Sequence, residues 1–335
     1  MKICSDCFND EEIQNYISST GIYGVCDALR KDALVIELED LSDFFSDVIN
    51  VFKVDASSKN TVVDFLQKDW SLFRDKNIAE MIINECVKLL GSTIDVEHVV
   101  YKDEISDYVS IWERMKHDLQ YKSRFLINLT SYNPMDPYLE DCIKADNIVS
   151  AGTIMYRARV LPDKVSYYKK DDLGCPPPDV VSNGRANPIG IPYLYLCDNK
   201  GTTYYEVRAR YKDRVTVGDF RINRDLKIVS LTSLSSLYVA SHSGDFVKEL
   251  KHKLLLHKIA EDMTKPLSRY DTELEYVPTQ FICELCKING ADGISFRSSL
   301  DGKGTNYVLF SANDKSVAEC IKVNTVTIEH VEIKP

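Results

Sequence analysis

The sequence predicts an α+β protein: an all-α N-terminal domain followed by a mixed α/β C-terminal domain. Two observations lead there. Between residues 41 and 120 the apolar residues recur at helical spacing, whereas from Gly152 onward they fall into short β-rich runs. Between these stretches lies SYNPMDP, Ser131 to Pro137, whose two prolines mark a turn. The expected division is residues 1–145 and 150–335, and two domains suit a chain of 335 residues.

The helical stretch contains LSDFFSDVINVF (Leu41 to Phe52), NTVVDFLQKDWSLF (Asn60 to Phe73), NIAEMIINECVKLLG (Asn77 to Gly91) and Ser106 to Gln120. In the third, Ile78, Met81, Ile82, Cys86 and Leu89 share a face, and Gly91 fits a C-terminal stop. Strands are expected at TIMYRARVL, YLYLC, RVTVGDF, LKIVSL, GISF, NYVLF and VNTVTIEHVEI. Helices are expected between them at about Thr202 to Arg210, Gly244 to Asp262 and Pro278 to Ile288, where Pro278 suits a first turn.

Charge and composition exclude several function classes. Apolar content of 44% and charged content of 27% describe an ordinary globular chain. A net charge of −10 argues against a nucleic-acid-binding face, so any anion site must be a local arginine cluster. No apolar run reaches the ~20 residues that span a bilayer. The opening MKICSDCF lacks the apolar core of a signal peptide, so a cytoplasmic location is expected. Ten scattered cysteines are then expected to be free or metal-bound rather than disulfide-linked.

Polar residues suited to chemistry gather in the second half. Alternation along YRAR puts Arg157 and Arg159 on one strand face, where two guanidinium forks can clamp a phosphate. A solvated strand with outward charges is the plainer alternative. Arg185 sits in GRANPIGIP, a Gly- and Pro-rich loop that lets backbone approach a ligand or makes an ordinary surface turn. In YLYL, Tyr195 can stack on a planar ring, and Tyr193 reads as core. Glu206 stands near the start of the helix TTYYEVRAR, as a dipole complement or as a carboxylate that stabilises a cationic sugar centre. Arg208 and Arg210 need no special role. Ser298 and Ser299 follow a strand and precede a turn with Gly302 and Gly304. Their hydroxyls can bind ribose or phosphate oxygens, or serve the turn alone. Cys283 and Cys286 lie on an apolar helix face and read as core, while His252 and His257 read as surface.

The order of these motifs resembles the RES family, named for its Arg, Glu and Ser, across roughly Gly152 to Phe310. The resemblance places the family's arginine on Arg157, a second arginine on Arg185, its tyrosine on Tyr195, its glutamate on Glu206 and its serine on Ser298. Ser299 is the alternative serine, Arg159 an accessory, and Asn306 a frequent family position. It implies a fold resembling the ADP-ribosyltransferase fold and an enzyme that cleaves the nicotinamide–ribose bond of NAD⁺. Phosphate is the favoured acceptor; water or a protein side chain are alternatives, and a non-catalytic binding module is a second one. The setting implied is a bacterial toxin with an antitoxin, or an antiphage defence effector. A homo-oligomer is the expected assembly.

The N-terminal half is similar to the HEPN/RES N-terminal domain, whose signature opens with a zinc-ribbon-like CxxCF and GxCxxC. Cys4, Cys7 and Cys26 match three cysteines, and Leu29 occupies the fourth place. Zinc wants four ligands, so a fourth would have to come from Asp27, His98 or water.

Overall fold

The computed structural model describes residues 1–91, 96–125, 145, 147–232, 236–265, 273–301 and 304–329. The SYNPMDP turn and Gly302 lie outside them. Two compact units emerge: Met1–Ile111 with Leu234–His257, and Trp112–Ser233 with Lys258–Pro335. The first unit thus takes a segment from the second half of the chain.

The first unit is not all-α. Strands β1 (Lys2–Cys4), β2 (Ile22–Cys26) and β3 (Lys31–Glu37) form an antiparallel sheet in the order β1-β3-β2. A second pair joins β4 (Phe52–Val54) to β5 (Val99–Tyr101). IYGVC and KDALVIE are short and rich in β-branched residues, which favours strands. A reading of Val25 to Arg30 as a metal knuckle hides them. The turn between them closes when Arg30, at φ +52°, donates its amide to Cys26 O at 2.7 Å.

Four helices fall where the periodicity predicts them, and the first helix of the unit was not expected. Met81 and Leu89, expected on the apolar face of the third helical stretch, are exposed, while Ala79 and Ile83 are buried. Helix α1 (Glu11–Thr20) starts at Asp10, whose carboxylate accepts from the amides of Glu12 and Ile13. Helix α2 is Ser42–Asn50; α3 (Val62–Trp70) opens with a Thr61–Asp64 capping box. Helix α4 (Lys76–Leu89) is followed by Gly91 at φ +57°, and α5 spans Asp103–Tyr121. Ile13, Phe45, Leu66, Phe73 and Ile82 fill the core of this unit.

The second unit is built on an eight-stranded mixed sheet. Its strands are β6 (Asn147–Val149), β7 (Ile154–Val160), β8 (Leu194–Cys197), β9 (Arg214–Ile222), β10 (Leu226–Ser230), β11 (Gly293–Arg297), β12 (Thr305–Leu309) and β13 (Ala318–Thr327). Their order is β13-β9-β7-β8-β12-β11-β10-β6, and only β10 and β11 run parallel. Each strand expected from the sequence has its counterpart, although β13 begins earlier than expected and ends at Thr327. Residues 330–333 of the expected VNTVTIEHVEI strand lie outside the described residues, and β6 was not expected. Helix α6 is Lys200–Glu206. Helices α7 (Leu237–Ser241) and α8 (Phe246–Thr264) follow, the chain up to His257 grouping with the first unit. Helix α9 (Val277–Ile288) carries Pro278 in its first turn.

Two histidine and cysteine expectations part ways here. Cys283 and Cys286 are fully buried core residues. His252, expected at the surface, is buried instead, because α8 is covered on more than one side around Lys253, Leu254 and Leu255.

Candidate active site

The site opens where the large sheet loses continuity. Strand β7 pairs with β9 from Ile154 to Val160, but with β8 only through Tyr156 and Cys197. Beyond that pair β7 and β8 part. A cavity of about 450 Å³ opens there, within the usual range for small-ligand clefts. Tyr156, Arg157, Tyr195, Glu206, Ser299 and Asn306 line it, with the loop from Ser182 to Asn187.

Glu206 is held at one oxygen. Ser298 Oγ donates to its Oε1 at 2.7 Å, and Asn306 Nδ2 donates to the same atom at 2.7 Å. No hydrogen bond from the described residues reaches Oε2. Asn306 is oriented in turn by the Cys197 thiol, which donates to its Oδ1 at 2.8 Å. Burial first, and then the negative charge of Glu206, push the Cys197 thiol up to about 12, so it stays a donor. Glu206 is the last residue of α6, not an early one as expected, because the helix ends in a tight turn just beyond it. A helix C-terminus disfavours an anion, and the two charge-assisted donors offset this.

Ser298 and Ser299 divide the work. Ser298 is buried, and its hydroxyl also accepts from the amides of Leu300 at 3.3 Å and Asp301 at 3.2 Å. Its one proton and both lone pairs are thereby engaged. It positions Glu206 rather than facing the cavity, where its neighbour Ser299 stands exposed. Gly304 accepts the Ser298 amide at 2.9 Å, and a Cβ there would lie 2.0 Å from Thr202 Oγ1.

The arginines also differ. Arg157 lines the cavity, and its Nη1 is enclosed with no hydrogen-bond partner among the described residues. Burial pulls its pKa below the ordinary value. Arg159 shares its strand face but sits farther along, where its Nη2 donates to Gly174 O at 3.1 Å outside the cavity lining. The pair therefore does not act as one clamp. Arg185 lines the cavity while its Nη1 donates to Met263 O at 2.5 Å.

Tyr195 braces the Arg185 loop. Its hydroxyl donates to Asn187 Oδ1 at 2.7 Å and accepts from the Ala186 amide at 3.3 Å. Gln280 Nε2 donates to Gly184 O at 2.8 Å and to Asn187 O at 3.1 Å, and Thr279 Oγ1 donates to Arg185 O at 2.7 Å. Gln280, Asn187, Tyr276 and Arg208 escaped the sequence reading as site residues. The one signal for Gln280 was a polar residue on an otherwise apolar helix face. Tyr193 is core, as expected.

The RES domain matches residues 155–332. This chain belongs to the RES domain family. The cavity, Arg157, Arg185, Glu206 and Ser298 all lie inside the matched RES segment. A chain of the M. tuberculosis MbcT–MbcA toxin–antitoxin complex is similar at 14% identity and a TM-score of 0.35, over 58% of this chain and 94% of that one. None of the curated proteins compared matches the chain.

Outside the RES segment, the Sγ atoms of Cys4, Cys7 and Cys26 lie within 4.8 Å of one another, all buried. Cys7 and Cys26 approach to 3.6 Å. Burial opposes ionisation of Cys26 but is outweighed by donors from the Leu29 amide and the other two thiols, which bring it below the usual value; burial pushes Cys7 up. No fourth His, Cys, Asp or Glu joins the group among the described residues. Asp27 accepts from the Lys2 amide, and His98 Nδ1 meets Ser58 O. Three thiols therefore leave the tetrahedral set that zinc prefers incomplete. No helix among the described residues is long and apolar enough to cross a membrane.

Proposed function

We propose that this RES domain cleaves NAD⁺ at the nicotinamide–ribose bond, with inorganic phosphate as the favoured acceptor. The observation that carries the reading is Glu206, one oxygen held by Ser298 and Asn306 and the other open, in a cavity that also holds Arg157 and Arg185. A carboxylate fixed in this way stabilises the oxocarbenium-like charge that develops at the ribose C1′. The arginines suit the diphosphate or an attacking phosphate.

In this scheme the C1′–N bond breaks, and its electron pair returns to the nicotinamide ring, which leaves neutral. No general acid is needed. A phosphate oxygen forms the new bond to C1′, giving ADP-ribose 1″-phosphate. Ser299 stands where a ribose or phosphate oxygen can reach it. The same reading takes the RES fold as ADP-ribosyltransferase-like, the first unit as a HEPN/RES N-terminal domain and the protein as a bacterial toxin or defence effector. A toxin of this kind needs restraint, which an antitoxin supplies. The cytoplasm, where NAD⁺ is abundant, is its place of action.

The test is NAD⁺ consumption by the purified protein with and without phosphate, products resolved by mass. Phosphate-dependent ADP-ribose 1″-phosphate, lost in Glu206→Ala, supports the proposal. Phosphate-independent ADP-ribose makes the protein a glycohydrolase, and label transferred to protein makes it an ADP-ribosyltransferase. No turnover leaves a binding module.

A further inference from the structure

We propose that Arg208 is a diphosphate-binding residue of the cavity, carried at a backbone position that ordinarily belongs to glycine. Helix α6 ends in two nested hydrogen bonds: Ala209 N donates to Tyr204 O at 3.0 Å, and Arg208 N to Tyr205 O at 2.8 Å. This pairing closes a helix when the residue between is left-handed, and Arg208 has φ +49°. Glycine is the default there, since a Cβ in that conformation crowds the next carbonyl. Nothing in the turn itself asks for an arginine. A strained backbone of this kind persists where the side chain has other work.

The side chain points to that work. Arg208 lines the cavity two residues past Glu206, and its guanidinium makes no hydrogen bond or ion pair with any described residue. It lies near enough to Arg185 for the two charges to oppose each other. Burial is the main cause lowering the Arg185 pKa, Tyr276 and Glu206 act against it, and Arg208 adds to the lowering. Arg157 offers a further enclosed nitrogen to the same cavity, with no hydrogen-bond partner among the described residues. Crowded cations in a molecule of net charge −10 are a local exception, and an anion with more than one phosphoryl group relieves them. A diphosphate spans two guanidinium forks where a single carboxylate fills one.

This inference rests on reading the cavity as the NAD⁺ site, and its test separates the two. Inorganic pyrophosphate is titrated calorimetrically into the full-length wild type, Arg208→Ala and Arg208→Gly, and each protein is melted without ligand. Wild type is expected to bind, and both variants to bind tenfold more weakly or worse. Arg208→Gly is expected to melt a few degrees above wild type, because the strain is gone, and Arg208→Ala to raise KM for NAD⁺ more than it lowers kcat. Affinity for nicotinamide riboside, which lacks the diphosphate, moves far less. Wild type that fails to bind pyrophosphate, equal binding by Arg208→Ala, or a lower melting point for Arg208→Gly overturns the proposal. Pyrophosphate binding through Arg208 without any NAD⁺ turnover sinks the proposed function and leaves the anion site standing.

Discussion

Ser298 Oγ donates to Glu206 Oε1 at 2.7 Å while its own lone pairs accept two turn amides. The serine is thus a rigid bracket: the loop fixes the hydroxyl, and the hydroxyl fixes the carboxylate. Ser298→Ala removes the bracket but leaves Asn306 in place. A hydrogen bond to a charged group is worth about 1.5–3 kcal/mol, and the exposure of Glu206 puts this one toward the lower end. The expected result is a fall in kcat of roughly tenfold with KM little moved. Single-turnover kinetics on NAD⁺ check it, and a purely KM effect would mean that Ser298 touches substrate instead.

Asn306 and Ser298 share one acceptor atom, so their effects are expected not to add. Asn306→Ala removes the second donor and also strands the buried Cys197 thiol, whereas Ser298→Ala strands the turn amides of Leu300 and Asp301, so each variant carries its own stability cost. In a double-mutant cycle on kcat, the double variant is expected to depart from the sum of the singles by about 1 kcal/mol. A strictly additive cycle would mean that the two donors act on Glu206 independently.

Much of this site was legible before folding, and the rest had a physical reason to hide. Arg157, Arg185, Glu206 and Asn306 come together because alternation and motif order place them on two strands, a loop and a helix end that the sheet brings side by side. The role of Tyr195 was not legible: stacking follows from ring chemistry, but a hydroxyl bracing Asn187 depends on where a loop eight residues away returns. Arg159 looked equivalent to Arg157 because strand alternation says nothing about which loop, here the one at Gly174, lies over a given position. Strands β2 and β3 are short, with two β-branched residues each, and the cysteine motif around Cys26 lies across their junction. Arg208 escaped because left-handed φ leaves no mark in a sequence when the residue is not glycine.

Gly184 is required by close approach. A Cβ there would stand 2.4 Å from Asn187 Oδ1 and 2.8 Å from Tyr195 OH, between two atoms already bonded to each other. Gly184→Ala is expected to break that bond and loosen the loop that presents Arg185. Tyr195→Phe removes the same bond without the clash and serves as its comparison. Both variants are expected to raise KM for NAD⁺ by about tenfold, equivalent to roughly 1.4 kcal/mol, with a normal circular dichroism spectrum. An unchanged KM in both would show that the loop does not need its brace.

Lys253 gives a prediction on stability alone. It is buried in the first unit, donates to Ser236 O at 3.0 Å, and burial lowers its pKa to about 8, against smaller opposing effects from Glu249 and Asp10. The unfolded chain holds this proton up to about 10.4. Above that value neither state is charged and the fold carries no penalty. As pH falls toward 8 the unfolded chain takes the proton first, and stability is lost; below about 8 both states are charged and the loss is constant. Lys253→Met keeps the apolar stem and removes the charge. Ser236 O retains the Ala240 amide as a donor, so the substitution leaves no orphaned carbonyl. At pH 7 the variant is expected to be more stable than wild type by on the order of 2 kcal/mol, a gap that narrows between pH 8 and 10. Urea denaturation across that range measures it, and a gap independent of pH would assign the gain to packing rather than to the buried charge.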